Sequence, residues 1–450
     1  MTFLAHLVSC LLHECNEKAF YSPNLLEMRE PSGAIDATFL IGGWLRSAFG
    51  AMHRLNPLDP CLTLEKLAMK KTLIALATLA ATGAFAQSSV QIDGVMDAGW
   101  QSINYKGGKA NGIGNNGSST SQINFRGSED LGGGLKANFR VETDWNTVSN
   151  KGNTGSASSP VTLGNETVAA ASTFGNGEIR VGLAGGFGSI DAGAVNYNTL
   201  GTYLTGQPLG TAIGSGFRTF YVNDAQGTSQ VRSDNSVKYV SPSFSGLTAS
   251  LYYAGKQTKA VDTTTSATAN AVKQTSFGGL GAYDMQGTTE LGINYANGPL
   301  AASFSTLKQD YKEVGTGTTS STVNTLGANY TMGAAKLFGL YQSNKNGLAK
   351  GATGAVSNTA MSISATYTMG AVVLMAQVGS LTNAAAATDT KSKLTGLGAD
   401  YNLSKRTAVY FRAESIDDKA GSVQAALTPA TIKGTDTKFS RTAVGIRHAF

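Results

Sequence analysis

Arg126, Arg140 and Arg180 sit between small or apolar neighbours, in Phe125-Arg126-Gly127, Phe139-Arg140-Val141 and Ile179-Arg180-Val181. Lys136, Arg232 and Lys238 fall on the same polar phase of their stretches, as do Asp93, Asp97, Glu142, Asp144 and Asp191. Cations fixed in a row on one wall would hold a positive field that concentrates anions beside it. The alternative is that they pair with the carboxylates and brace the wall, an ordinary use of such side chains. Other chemistry lacks its parts. Residues 87–450 contain one histidine, His448, and no cysteine, so neither a His-based triad nor a typical zinc site nor thiol chemistry can be assembled. Gly112-Ile113-Gly114-Asn115-Asn116-Gly117 matches G-x-G-x-x-G literally, but it lacks the strand-turn-helix context that binds phosphate. No nucleophile is placed beside a base, so we expect no enzyme, no cofactor and no metal.

A wall that carries such residues must be made of strands. In the clearest stretch Leu135, Ala137, Phe139, Val141, Thr143 and Trp145 alternate with Lys136, Asn138, Arg140, Glu142 and Asp144. Four later hairpins repeat one pattern, at 291–304, 326–341, 363–378 and 397–413, and a tyrosine precedes the turn of each: Tyr295, Tyr330, Tyr367 and Tyr401. These tyrosines recur every 34 to 37 residues, an internal repeat of hairpins. Earlier hairpins turn at 128–134, 185–186 and 242–246, and the opening strand runs over 90–105 with Trp100 on its apolar face. The alternation predicts sixteen strands, with 275–295 the least regular. Seven connections are short, whereas eight are long and polar, near 106–120, 146–177, 196–230, 255–276, 308–322, 343–358, 380–393 and 415–437.

The composition changes abruptly along the chain. Cys10, Cys15 and Cys61 all precede residue 69, whereas 50 of the 55 glycines follow residue 86. Between these regions, Met69-Lys70-Lys71, the apolar run 72–81 and Gly83-Ala84-Phe85-Ala86 read as a secretory signal peptide cleaved after Ala86. An export signal works from an N-terminus, so residues 1–68 are expected to be upstream sequence included by an early start. They are assigned no fold. Seven basic and seven acidic residues precede residue 87, leaving the net charge of the remainder at +6. That charge is mild and spread out, unlike a nucleic-acid-binding surface. Residues 87–450 contain no uncharged apolar run of about 18 residues, so a membrane role falls to strands.

Alternation alone fits both a soluble sandwich and a barrel in lipid. The export signal, the high and even strand number, the tyrosines beside the short turns and the amphipathic ending 439–450, with Phe450 terminal, favour the barrel. We therefore expect a 16-stranded antiparallel transmembrane β-barrel over 87–450, with short periplasmic turns and long extracellular loops, in the outer membrane. Residues 125–137, 181–190, 235–246 and the ending His448-Ala449-Phe450 resemble the general porins of beta-proteobacteria, of the Neisseria, Comamonas and Burkholderia types. The resemblance implies a homotrimer and a third loop folded into the lumen to narrow it. It also implies a basic ladder near Arg126 and Arg140 opposite that loop, and makes Phe450 part of the signal read by the barrel-assembly machinery. Where family members often carry an arginine after the fifth strand, this chain reads Gly193-Ala194-Val195.

Residues 196–223 contain no acid and one base, Arg218, among Tyr197, Tyr203, Phe217, Phe220 and Tyr221. The aromatics favour packing inside the barrel over a solvated surface loop. The expected pore-lining set is Arg126, Lys136, Arg140, Arg180, Arg218, Arg232, Lys238 and Asp191. The function that follows is a passive channel for small hydrophilic solutes and ions, mildly anion-selective, among outer-membrane lipid and lipopolysaccharide, with no nucleic-acid partner. The alternatives are a substrate-specific channel, marked by saturable block, and a barrel used for adhesion or phage attachment. Terminal sequencing of the protein extracted from outer membranes is expected to begin Gln87-Ser88-Ser89-Val90. A start upstream of Met69 would contradict the signal-peptide assignment.

Overall fold

The computed structural model describes residues 89–105, 108–148, 174–221, 231–256, 283–313, 318–350, 355–385, 388–420 and 437–450. All belong to the compact unit Ala80–Phe450. They form seventeen strand segments: β1 (Ser89–Tyr105), β2 (Gly108–Asn115), β3 (Gln122–Gly132), β4 (Leu135–Asp144), β5 (Ile179–Gly185), β6 (Gly188–Asn196), β7 (Arg232–Val240), β8 (Leu247–Ala254), β9 (Tyr283–Asn297), β10 (Leu300–Glu313), β11 (Thr318–Met332), β12 (Ala335–Asn346), β13 (Ser357–Met369), β14 (Val372–Asn383), β15 (Thr390–Asn402), β16 (Thr407–Asp417) and β17 (Lys438–Ala449). Each pairs antiparallel with its neighbours, and β1 pairs with β17 from Val95↔Ala449 to Tyr105↔Phe439, closing the sheet into a barrel.

Seventeen segments make sixteen staves. The lower half of β1 pairs with β3 (Ser89↔Ser128 to Val95↔Gln122) and its upper half with β2 (Ala98↔Asn115 to Tyr105↔Gly108), so β2 and β3 share one stave. The polar loop expected over 106–120 is in part strand, since β2 occupies Gly108–Asn115. The 17-residue β1 extends beyond the start of β3, and β2 satisfies backbone groups that would otherwise form a bare edge. The connection expected over 308–322 is also largely strand, since β10 runs to Glu313 and β11 begins at Thr318 in a Thr-rich stretch suited to extended backbone. Parts of the long connections expected at 146–177, 196–230, 255–276 and 415–437 lie outside the described residues.

Side chains alternate around the ring as hydrocarbon on one side and water on the other require. On β17, Val444 and Ile446 are about half exposed on the outer surface while Ala443 is fully buried inside. Tyr330, Tyr367 and Tyr401 stand exposed on the outer face beside the short turns, where an aromatic ring suits the interface. Three of these turns place a glycine first, with φ of +56° at Gly298, +59° at Gly333 and +58° at Gly370. One positive φ followed by a negative one is the type II′ pattern that matches strand twist.

The seam ends at Phe450, which exchanges two backbone hydrogen bonds with Gly94, at 3.1 and 3.2 Å. A Cβ on Gly94 would run into the Phe450 ring and the Gln122 carbonyl, so the ring covers backbone that only glycine leaves bare. Gly94→Val is expected to lower the yield of folded barrel, as is removal of Phe450. Heat-modifiable electrophoretic mobility reads both, and full folding of Gly94→Val would show that the seat is dispensable.

Candidate functional site

Register places three arginines side by side. Arg126 on β3 lies opposite Arg140 on β4, which lies opposite Arg180 on β5. Like charges directly opposed on adjacent strands repel, so this row needs counter-charges. Four carboxylates supply them. Arg126 pairs with Asp93 at 3.0 Å. Arg140 pairs with Glu142 and, at 2.6 Å, with Glu178, and also donates to Asn124 Oδ1 at 2.9 and 3.1 Å. Arg180 pairs with Asp191 at 2.6 Å and donates to Asn138 at 2.6 Å. Arg126 keeps 46% of its side chain exposed, against 17% for Arg140 and 27% for Arg180, so it presents most charge to the lumen.

The other sequence-selected residues divide. Lys238 lies opposite Asp191 and donates to the Asn196 carbonyl at 2.9 Å, and buried Arg232 donates to Asn196 Oδ1 and the Asn176 carbonyl. Both thus join the arginine row on one arc of wall, β3 to β7. Lys136 stands apart, exposed beside the short turn between β3 and β4. The Arg218 side chain lies outside the described residues.

Across the lumen, the third long connection folds inward. It opens with a helix, α1 (Asn198–Thr205), and continues to a π-helical turn at Phe217–Tyr221. The first turn of α1 contains no acidic residue, and its cap residue, Tyr197, makes no side-chain capping bond. Glu290 of β9 supplies the missing acceptor from the wall: it receives Asn198 N–H at 2.5 Å, Thr199 N–H at 2.6 Å and Thr199 Oγ1–H at 2.7 Å. A carboxylate at an N-terminus satisfies free amides and complements the helix dipole. Thr202 bonds Ser303 at 2.6 Å, and Gly327 lets the helix lie flush, since a Cβ there would strike the Thr202 carbonyl.

Beyond α1 the loop tip reaches β16. Buried Glu414 accepts the Gly214 and Gly216 amides at 3.0 and 3.4 Å while held by Arg441 at 2.7 Å. Gln377 donates to the Ser215 carbonyl at 2.9 Å and Tyr221 to Ser362 at 2.8 Å. Tyr197, Tyr203, Phe217, Phe220 and Tyr221 are all buried. Burial pushes the Tyr203 phenol well above its ordinary pKa, so it remains a donor to the Gly210 and Ser215 carbonyls within the loop. Sequence reasoning missed Glu290, Glu414 and Glu178. The first two occupy the inward phase of strands read only for their apolar pattern, whereas Glu178 precedes the regular part of β5. The arrangement sets the charged β3–β7 wall across the barrel from an inward loop fixed to β9–β16, whose described residues include no carboxylate.

The Gram-negative porin family matches residues 72–421. Outer membrane porin protein 32 of Delftia acidovorans is 33% identical over 397 residues, covering 85% of this chain and 100% of that protein. Major outer membrane protein P.IB of Neisseria gonorrhoeae is 35% identical over 196 residues, which make up 42% of this chain and 49% of that one. Among solved structures, the anion-selective porin from Comamonas acidovorans superposes with a TM-score of 0.63 at 28% identity, covering 81% of this chain and 100% of that one. OmpT of Vibrio cholerae, 16% identical with a TM-score of 0.53 and covering 81% of this chain and 99% of its own, shares the fold.

Glu290→Ala leaves the first amides of α1 without their acceptor and is expected to cost about 2 kcal/mol, the scale of a lost helix cap with charged hydrogen bonds. Urea unfolding in lipid vesicles measures it. A loss no larger than that of an exposed surface change would show that α1 does not depend on Glu290.

Proposed function

This chain belongs to the Gram-negative porin family and forms a channel of the outer membrane, and on that premise we propose that its passive diffusion pathway favours anions mildly. One observation carries the reading: the arginine row faces a loop whose described residues contain no carboxylate. A solute in the gap meets guanidinium groups on one side and, on the other, a loop whose described residues offer no carboxylate to hold a cation. The paired carboxylates cancel most of the far field, which keeps the preference mild. The anion-selective relative from Comamonas acidovorans supports the same sign.

We assign the constriction to Arg126, Arg140, Arg180, Arg232, Lys238 and Asp191, with Lys136 at the periplasmic mouth. The protein acts as a homotrimer among lipid and lipopolysaccharide, exported with cleavage after Ala86 and inserted by the barrel-assembly machinery. These partners rest on the resemblance and on the sequence patterns.

In a planar bilayer under a salt gradient, the zero-current potential is expected to carry the sign of anion excess. Arg126→Glu should reduce or reverse it, because Arg126 is the most exposed of the three arginines. Cation preference in the unaltered protein would overturn the anion assignment, and an unchanged potential in the variant would remove Arg126 from the constriction.

A further inference from the structure

We propose that residues 116–121 form a second element of the constriction, an inward lip that fixes the tip of the third loop, and that Asp97 is the positioning residue that holds it. The inference rests on the channel reading above. After β2 the backbone turns at Asn116, with φ +60°, and the Ser121 amide donates to Asn116 Oδ1 at 2.7 Å, closing a short bight. Asp97, fully buried on β1, fills it. Its carboxylate accepts the amides of Ser118 at 2.7 Å, Ser119 at 2.8 Å and Gly117 at 3.3 Å, together with the Tyr410 hydroxyl at 2.6 Å. Successive amides converging on one anion form a concave nest, and here the anion belongs to the protein.

The lip lies inside the barrel. Arg412 donates to Ser118 at 2.8 Å and Arg447 to Ser119 at 3.0 Å. Tyr410 and Arg412 are buried, whereas Val409 and Phe411, which alternate with them, are exposed on the outer face, as are Val444 and Ile446 of β17. The lip then touches the third loop twice: the Thr120 and Thr211 hydroxyls lie 3.1 Å apart, and Ile213 N–H donates to the Gly117 carbonyl at 3.3 Å. The loop tip is therefore gripped by Glu414 on the wall and by the lip beside it. Asp97 acts on the passage through these contacts, without needing to touch the solute.

The absence of cysteine from residues 87–450 makes the test clean. In refolded trimers, Thr211→Cys is modified by a methanethiosulfonate reagent with and without Asp97→Asn. Loss of a charge-assisted grip should raise the modification rate on the order of tenfold, the effect of one hydrogen bond to a charged group. Single-channel records of Asp97→Asn should show closures at lower voltage. A disulfide between Thr120→Cys and Thr211→Cys should abolish them until reductant is added. Ser118→Pro removes one donor while leaving Asp97 intact and should act in the same direction. Unchanged modification rates in folded Asp97→Asn, or failure of both variants to assemble, would overturn the proposal. Altered modification in a protein that conducts nothing would sink the channel reading and leave the lip standing.

Discussion

A backbone amide in hydrocarbon has no water to fall back on, and each one left unpaired costs several kcal/mol. That constraint governs the whole molecule. It requires strands to pair on both sides, makes the ring close between β1 and β17, and recruits β2 to cover the upper half of β1. Within a closed ring the side-chain period of two leaves one choice per residue, toward lipid or toward the lumen. The lumen thereby receives the charged cluster of β3 to β7, and its electrostatics follow from the order in which strands meet.

Charge in that lumen is organised as local neutralisation. Three cross-strand arginines would repel one another, and Asp93, Glu142, Glu178 and Asp191 make the row tolerable. Bracing and field are thus two properties of one cluster, and relative exposure determines which each arginine contributes more. The opposite arc uses carboxylates differently. Glu290 and Glu414 are spent on the backbone amides of the inward loop, so they hold its shape and add little to the field in the passage.

The barrel was largely legible because alternation, turn glycines and the matched tyrosines report one geometry at three scales. Register was legible only in part. Sequence could place Arg126, Arg140 and Arg180 on the polar phase, but their adjacency depends on hairpin offsets that pattern does not encode. Burial of the aromatics in the third loop was readable from their number. Its anchors were not, because Glu290 and Glu414 lie 92 and 200 residues from the amides they hold. Asp97 was recognisable as inward-facing, yet its partners come from a turn that read as plain polar loop. Glu178 fell outside any regular phase and gave no signal.

The seam at Gly94 and Phe450 bears on how the fold is reached. β1 and β17 are the described strands most distant in sequence, so the contact that completes the ring spans the largest possible loop. Until β17 arrives, every partly built sheet carries two raw edges, each able to recruit a foreign strand. Closure is therefore also the step that ends the hazard of aggregation, and a chain halted before β17 would remain adhesive however well its earlier hairpins had formed.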